Sequence, residues 1–382
     1  MDLNTKILKY IPILMLLSQS HFSYAEIDLI SKNQFDIPVL DRLSLQFGGQ
    51  IRPQWVHNAG PEPSYYKDGH DGASRVRLTA KYTLSPETEL KGYYEHGLNV
   101  PKLLGMNGHF DPAAKSNQRR QAYISIDNKK YGTLSYGQQF GLYYTVIGSK
   151  SDMWDNDALA GATTIGVNGS YDGANRAKNS LMYTKDINQF KIYANYLFSE
   201  KAIPTGGSYE YKRRNGGGLG LDYAATPDLT YSFAASTTKA DVTSQQDPTH
   251  LHDYQQNVFG SAITFKPDQW YVVGTASYYQ DFVPAVKQVS AAHYFAGDGY
   301  GLETFVGYTF KFDLPYLKSL QPYVAADTLR LKSEQRFRAN HQYIGLSTEL
   351  NKHVKIMTEH TFVSSNNPTE KDSTWVTMFL SF

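Results

Sequence analysis

The chain has no cysteine, so no disulfide framework and no thiolate metal site or nucleophile can be built from it. Long apolar runs are also missing beyond residue 17, and the mean hydropathy is −0.47. That excludes a bundle of membrane-spanning helices. It does not exclude a barrel, whose strands alternate apolar and polar residues and so average to a polar score. Charge of one sign is lacking as well: 37 basic residues face 36 acidic ones. A polybasic nucleic-acid binder is therefore not expected. Neither a Gly-x-Ser-x-Gly nor a His-Glu-x-x-His segment occurs, the 11 histidines are scattered, and no Gly-rich phosphate cradle stands out. No enzyme, metal site or cofactor is expected from such a pattern. His57, His70, His96, His341, His353 and His360 read as interfacial or loop residues.

What is present is tyrosine, with 30 copies against 19 Phe and 4 Trp. Its ring is apolar and its hydroxyl polar, which suits the level where lipid meets water. The first 25 residues read as a secretory signal peptide. Lys6 and Lys9 supply the positive start, Ile11 to Leu17 the short apolar stretch, and Ser23-Tyr24-Ala25 the small residues before a cut. Cleavage removes Lys6, Lys9 and Asp2, and leaves 35 charges of each sign. An exported chain is free to form disulfides, so its stability here must come from elsewhere. A closed sheet supplies it, because it has no free edge.

Period-two alternation runs through residues 26–382, read as one domain. In 299–312, Tyr300, Leu302, Thr304, Val306, Tyr308, Phe310 and Phe312 share one face. Gly301, Glu303, Phe305, Gly307, Thr309 and Lys311 share the other, a mixed face. Short turns built on Pro, Asn and Asp recur at 85–88, 127–130, 186–189, 226–228, 266–268 and 351–353. Longer, Gly- and charge-rich connections lie at 58–70, 101–117, 141–175, 201–212, 244–253, 284–298 and 367–372. Strand starts fall near 41, 71, 89, 118, 132, 176, 190, 213, 229, 253, 270, 299, 320, 337, 354 and 373, sixteen in all. Short turns on one side and long loops on the other describe an all-β, sixteen-stranded antiparallel transmembrane β-barrel. Val376, Met378, Leu380 and the last residue, Phe382, share one face of the closing strand.

At these residues the chain resembles the Gram-negative general diffusion porins. The matching stretches are 75–81 (RVRLTAK), 120–124 (RQAYI), 131–138 (YGTLSYGQ), 144–153 (YTVIGSKSDM), Ile344-Gly345-Leu346, Asn351-Lys352 and Phe382. The resemblance implies a homotrimer in the outer membrane, among lipid and lipopolysaccharide. It implies a water-filled channel for ions and small hydrophilic solutes, and Phe382 as a signal to the barrel-assembly machinery. It also implies that the third long loop, 141–175, folds inward as the constriction. Asp152 then matches a constriction acid, with Asp155 and Asp157 near the second acidic position. Arg77 and Arg176 match wall arginines. Arg75 points the same way as Arg77, because Val76, Leu78 and Ala80 point out. Arg120 is favoured by the alignment, whereas its parity with Ala122, Ile124 and Ile126 would turn it outward. Glu303 matches an interior acid, and alternation turns it inward. The family's subunit latch has only Asp111 to offer in 101–117. A sugar-preferring channel is the alternative, kept open by Phe305 and Trp375 on the inward face.

Overall fold

A computed structural model describes residues 26–58, 69–106, 117–155, 173, 175–204, 209–244, 251–281, 298–332, 336–366 and 371–382. Asp157, Asp111 and residues 1–25 lie outside these. The strands are β1 (Leu43–Ile51 continuing as Pro53–Asn58), β2 (Arg75–Ser85), β3 (Thr88–Gly97), β4 (Gln118–Asn128) and β5 (Gly132–Phe140). They continue with β6 (Arg176–Ile187), β7 (Phe190–Leu197), β8 (Tyr209–Ala224), β9 (Leu229–Ser244), β10 (Leu251–Phe265) and β11 (Trp270–Gln280). The last are β12 (Gly299–Tyr308 with Phe310–Leu314), β13 (Leu317–Leu331), β14 (Arg338–Asn351), β15 (Val354–Ser365) and β16 (Ser373–Ser381).

Each strand pairs antiparallel with its sequence neighbours, as short turns dictate, and β16 returns to β1 with Ser373 opposite Asn58 and Thr377 opposite Gln54. The barrel is thereby closed, with Gln50 and Ile51 of β1 also paired to Ser381 and Leu380 of β16. Alternation decides the faces. Leu78, Tyr94, Ile124, Tyr136, Phe233, Phe259, Trp270, Leu302, Val324, Ile344 and Phe362 are exposed outward, toward lipid. Their neighbours Arg77, Glu95, Ser125, Ser135, Glu303, Asp327 and Glu359 are buried inward. The sequence-based start of β13 moves from 320 to 317, because Leu314 and Leu317 pair across a tight turn.

The seam has a second component. Main-chain bonds join Phe382 to Gly49, with Phe382 N–H donating at 3.1 Å and Gly49 N–H at 2.8 Å. Just below, a short strand Ile27–Ile30 pairs with Leu45–Phe47 of β1. It thus continues the line on which β16 ends, and covers the edge that β16 leaves open. Glu26, at its start, holds Arg77 at 2.8 Å.

Candidate functional site

After β5 the chain does not leave the barrel wall outward. Tyr144–Gly148 forms a π-helical turn and Ser149–Ser151 a helical one. Their side chains meet inward residues of the opposite wall. Tyr143 bonds to Ser277 on β11, and its ring lies where a Cβ on Gly260 would stand, with atoms 2.6–2.9 Å from that position. A side chain at 260 would therefore displace the loop, which is why glycine serves there. Lys150 donates to Asp222 of β8 at 3.2 Å, and its carbonyl accepts from the Tyr271 hydroxyl at 2.7 Å. Ser151 donates to Glu303 of β12. Trp154 stacks on Phe305 at 6.3 Å and on Tyr343 of β14 at 5.2 Å. The Asp155 N–H donates to Glu359 of β15 at 3.0 Å, while its carboxylate accepts from Thr377 of β16 and from Gln54 of β1 at 3.3 Å. Arg52 lies 3.6 Å from that carboxylate. Burial pushes the Asp155 carboxyl above the ordinary carboxylate range, against the pull of Arg52 and the two hydrogen bonds.

Residues 143–155 thus lie against β8, β10, β11, β12, β14, β15, β16 and β1. The wall carboxylates involved are themselves held: Asp222 by Tyr193 at 2.8 Å and Ser232 at 2.5 Å, and Glu359 by Tyr323 at 2.6 Å. Such satisfaction is what makes buried polar groups tolerable. Lys150, Asp222, Glu359, Arg52 and Trp154 are site residues that sequence reasoning missed. Only inward parity marked the wall members, and nothing local marked their partners.

Facing the loop, a group of charges gathers on β2, β3, β4 and β6. Arg75, Arg120, Arg176 and Glu95 lie within Coulombic reach of one another. Arg120 donates to Glu95 at 2.6 Å. Its inward course is made by a β-bulge: Glu95 stands opposite Gln121 and His96 opposite Arg119, so Arg120 is the extra residue. The bulge breaks the parity that Ile124 and Ile126 would impose, and Arg120 is buried while Arg119 is exposed. Arg176 lies 5.9 Å over the Phe140 ring and within reach of Asp152 and Tyr144. Asp152 is exposed and accepts from the Tyr144 hydroxyl at 2.7 Å. Burial, and then Asp152, push the Tyr144 phenol well above its ordinary value. Arg77, opposite Glu95 in the pairing of β2 and β3, is buried and ion-paired with Glu26. Asp155 and Glu303 are turned to the loop–wall contact rather than to the arginines. His341 is no interfacial residue: it is buried inward, with Nδ1 2.7 Å from Asp327.

The model of the Gram-negative porin family matches residues 14–367. The chain belongs to the Gram-negative porin family. Its place is the outer membrane, which it crosses many times as a β-barrel channel. No curated protein matches the sequence. Among solved structures the porin is similar to Salmonella typhi OmpF in complex with daunomycin, at 16% identity over 90% of this chain and 98% of that one, with a TM-score of 0.71. It is similar to the trimer form of Vibrio cholerae OmpT, at 13% identity over 90% and 100%, TM-score 0.60. It is also similar to the anion-selective porin of Comamonas acidovorans, at 14% identity over 89% and 99%, TM-score 0.57.

Proposed function

We propose that this porin is a general diffusion channel for ions and small hydrophilic solutes, with its neck between the arginines of β2, β4 and β6 and the Asp152 carboxylate of loop 141–175. The observation that carries this reading is the division of the inner wall. Loop residues 143–155 lie against β8, β10 to β12, β14 to β16 and β1, so the described passage runs along β2 to β7. There Arg75 and Arg176 have no direct ion pair among the described residues, and the exposed Asp152 faces them. Fixed charges of opposite sign across a narrow neck order water and favour polar solutes. Asp157 belongs to the same loop, and in this reading it adds to the acidic side. Arg77, offset by Glu26, contributes less than Arg75. Asp155 and Glu303 shape the neck by holding the loop.

Phe305, one of the inward aromatics that kept a sugar channel open, does not support it. Phe305 is 0% exposed and lies beneath Trp154, so it anchors the loop and offers no face to a passing ring. The mature chain in this reading starts at Glu26, assembles as a homotrimer, is recognised through Phe382 by the barrel-assembly machinery, and sits among lipopolysaccharide.

Zero-current potentials in planar bilayers under a KCl gradient test the reading. Arg75→Ser is expected to shift the potential toward cation preference, Asp152→Asn in the opposite sense, and Arg77→Ser to move it less than Arg75→Ser. If the wild-type protein forms no conducting channel, or neither of the first two substitutions moves the potential, the reading fails.

A further inference from the structure

The wall of β2, β3 and β4 that loop 141–155 leaves uncovered is layered by its register. One layer holds Arg77, Glu95 and Gln121, the next Thr79, Tyr93 and Tyr123, and the next Lys81, Lys91 and Ser125. All share the inward parity of Arg77 and Glu95. Lys81 and Lys91 are direct cross-strand partners. Like charges so placed repel, and a sheet normally avoids them. Two other cations of this wall are matched: Arg77 by Glu26 at 2.8 Å and Arg120 by Glu95 at 2.6 Å. Lys81 has no ion pair or hydrogen bond among the described residues, and the contact of Lys91 is with the Tyr123 ring, 5.3 Å from its Nζ. The acids of the following layer are engaged elsewhere. Glu89 holds Lys32 at 2.8 Å, and Asp127 accepts from Ser125 at 3.0 Å. Immediately above the lysines, Tyr93 and Tyr123 form a ring pair at 5.2 Å, inclined by 31°. The Tyr93 hydroxyl donates to Glu95 at 3.3 Å, which fixes that ring.

We propose that Lys81 and Lys91, with the rings of Tyr93 and Tyr123, form a binding subsite for small aromatic carboxylates on the lumen wall. The proposal rests on the channel reading above and deepens it. Two ammonium groups with no carboxylate partner among the described residues match a carboxylate, and the adjoining tyrosines offer flat apolar area to a ring. Both lysines are half-buried, so their charges are less screened than those on an open surface. An anion drawn in by Arg75 and Arg176 would meet this pair on its way to the periplasm. One wall would then supply two successive stations.

The test uses single channels of the full porin in KCl, with benzoate as probe and acetate as the carboxylate without a ring. Benzoate is expected to reduce the chloride current at concentrations where acetate does not. Lys81→Gln/Lys91→Gln should weaken that block about tenfold, as loss of a carboxylate's charge partners does. The same pair should lower the anion-to-cation permeability ratio roughly threefold, the effect of two charges acting across about 7 Å of screened water. Lys81→Arg/Lys91→Arg should keep the block. Tyr123→Leu should weaken the block by benzoate and leave the chloride ratio in place. Heat-modifiable gel mobility confirms that each variant is folded. Channels that conduct normally but respond alike to benzoate and acetate, or a double Gln variant that is blocked like wild type, overturn the subsite and leave the channel reading standing. Absence of wild-type conductance overturns both.

Discussion

Trp154 is the residue on which the position of loop 141–155 should depend most. It is 7% exposed and packed between Phe305 and Tyr343. Truncating a buried Trp to Ala costs about 3–5 kcal/mol in lost burial and residual cavity. Against this stands one relief: the indole Nε1–H has no hydrogen-bond partner among the described residues, and a buried unsatisfied donor costs about 1–3 kcal/mol. The balance for Trp154→Ala is about 2 kcal/mol, roughly thirtyfold in the ratio of docked to undocked loop. The β-ladder does not pass through Trp154, so the barrel itself should be untouched. Single-channel recording of Trp154→Ala in planar bilayers is expected to show larger and noisier open-channel currents, with heat-modifiable mobility unchanged. Trp154→Phe keeps an aromatic face and removes the unsatisfied donor, so it should be as quiet as wild type. Currents from Trp154→Ala with wild-type amplitude and noise would refute the argument that this stack holds the loop.

Protonation should act on the same loop through Asp155. Its carboxyl is raised in the docked state by burial, so docking takes up a proton; the stabilisation this gives is present at low pH and is lost as pH rises through the docked-state value. Open-channel noise should therefore fall as pH is lowered from neutral into the carboxylate range, and Asp155→Asn should flatten that part of the response; noise that grows on acidification would contradict it. At the seam, a Cβ on Gly49 would stand 2.5 Å from the Phe382 ring. Gly49→Ala is expected to lower the yield of heat-modifiable barrel in the outer membrane, and deletion of Phe382 to lower it further. Normal yield from both would mean that the ring does not seat the closing strand. Replacing Glu26 with Gln should remove the negative charge 2.8 Å from Arg77, and shift the zero-current potential toward anion preference; no shift would place Arg77 outside the field of the pore.

Period-two alternation and turn chemistry in the sequence determined the architecture. Both are local. A residue's face follows from its neighbours at i±2, and a short turn forces antiparallel pairing. Sixteen strands, an aromatic exterior and the inward course of Arg75, Arg77 and Glu303 were legible for that reason. Resemblance pointed to a special loop after β5 and to Asp152 within it. Tertiary structure alone decided the rest. Arg120 turns inward because a bulge opposite Glu95 and His96 adds one residue, and parity counted from Ile124 cannot see an insertion in a neighbouring pairing. Arg77 and Arg75 look equivalent by alternation. They part company because the short strand Ile27–Ile30 pairs with β1 and brings Glu26 to one of them. Asp155 and Glu303 carry the right charge for a neck, yet they spend it on Thr377, Gln54 and Ser151. The reason is the same in each case: alternation tells whether a side chain faces the lumen, and only the register and the path of a loop across the barrel tell what it meets there.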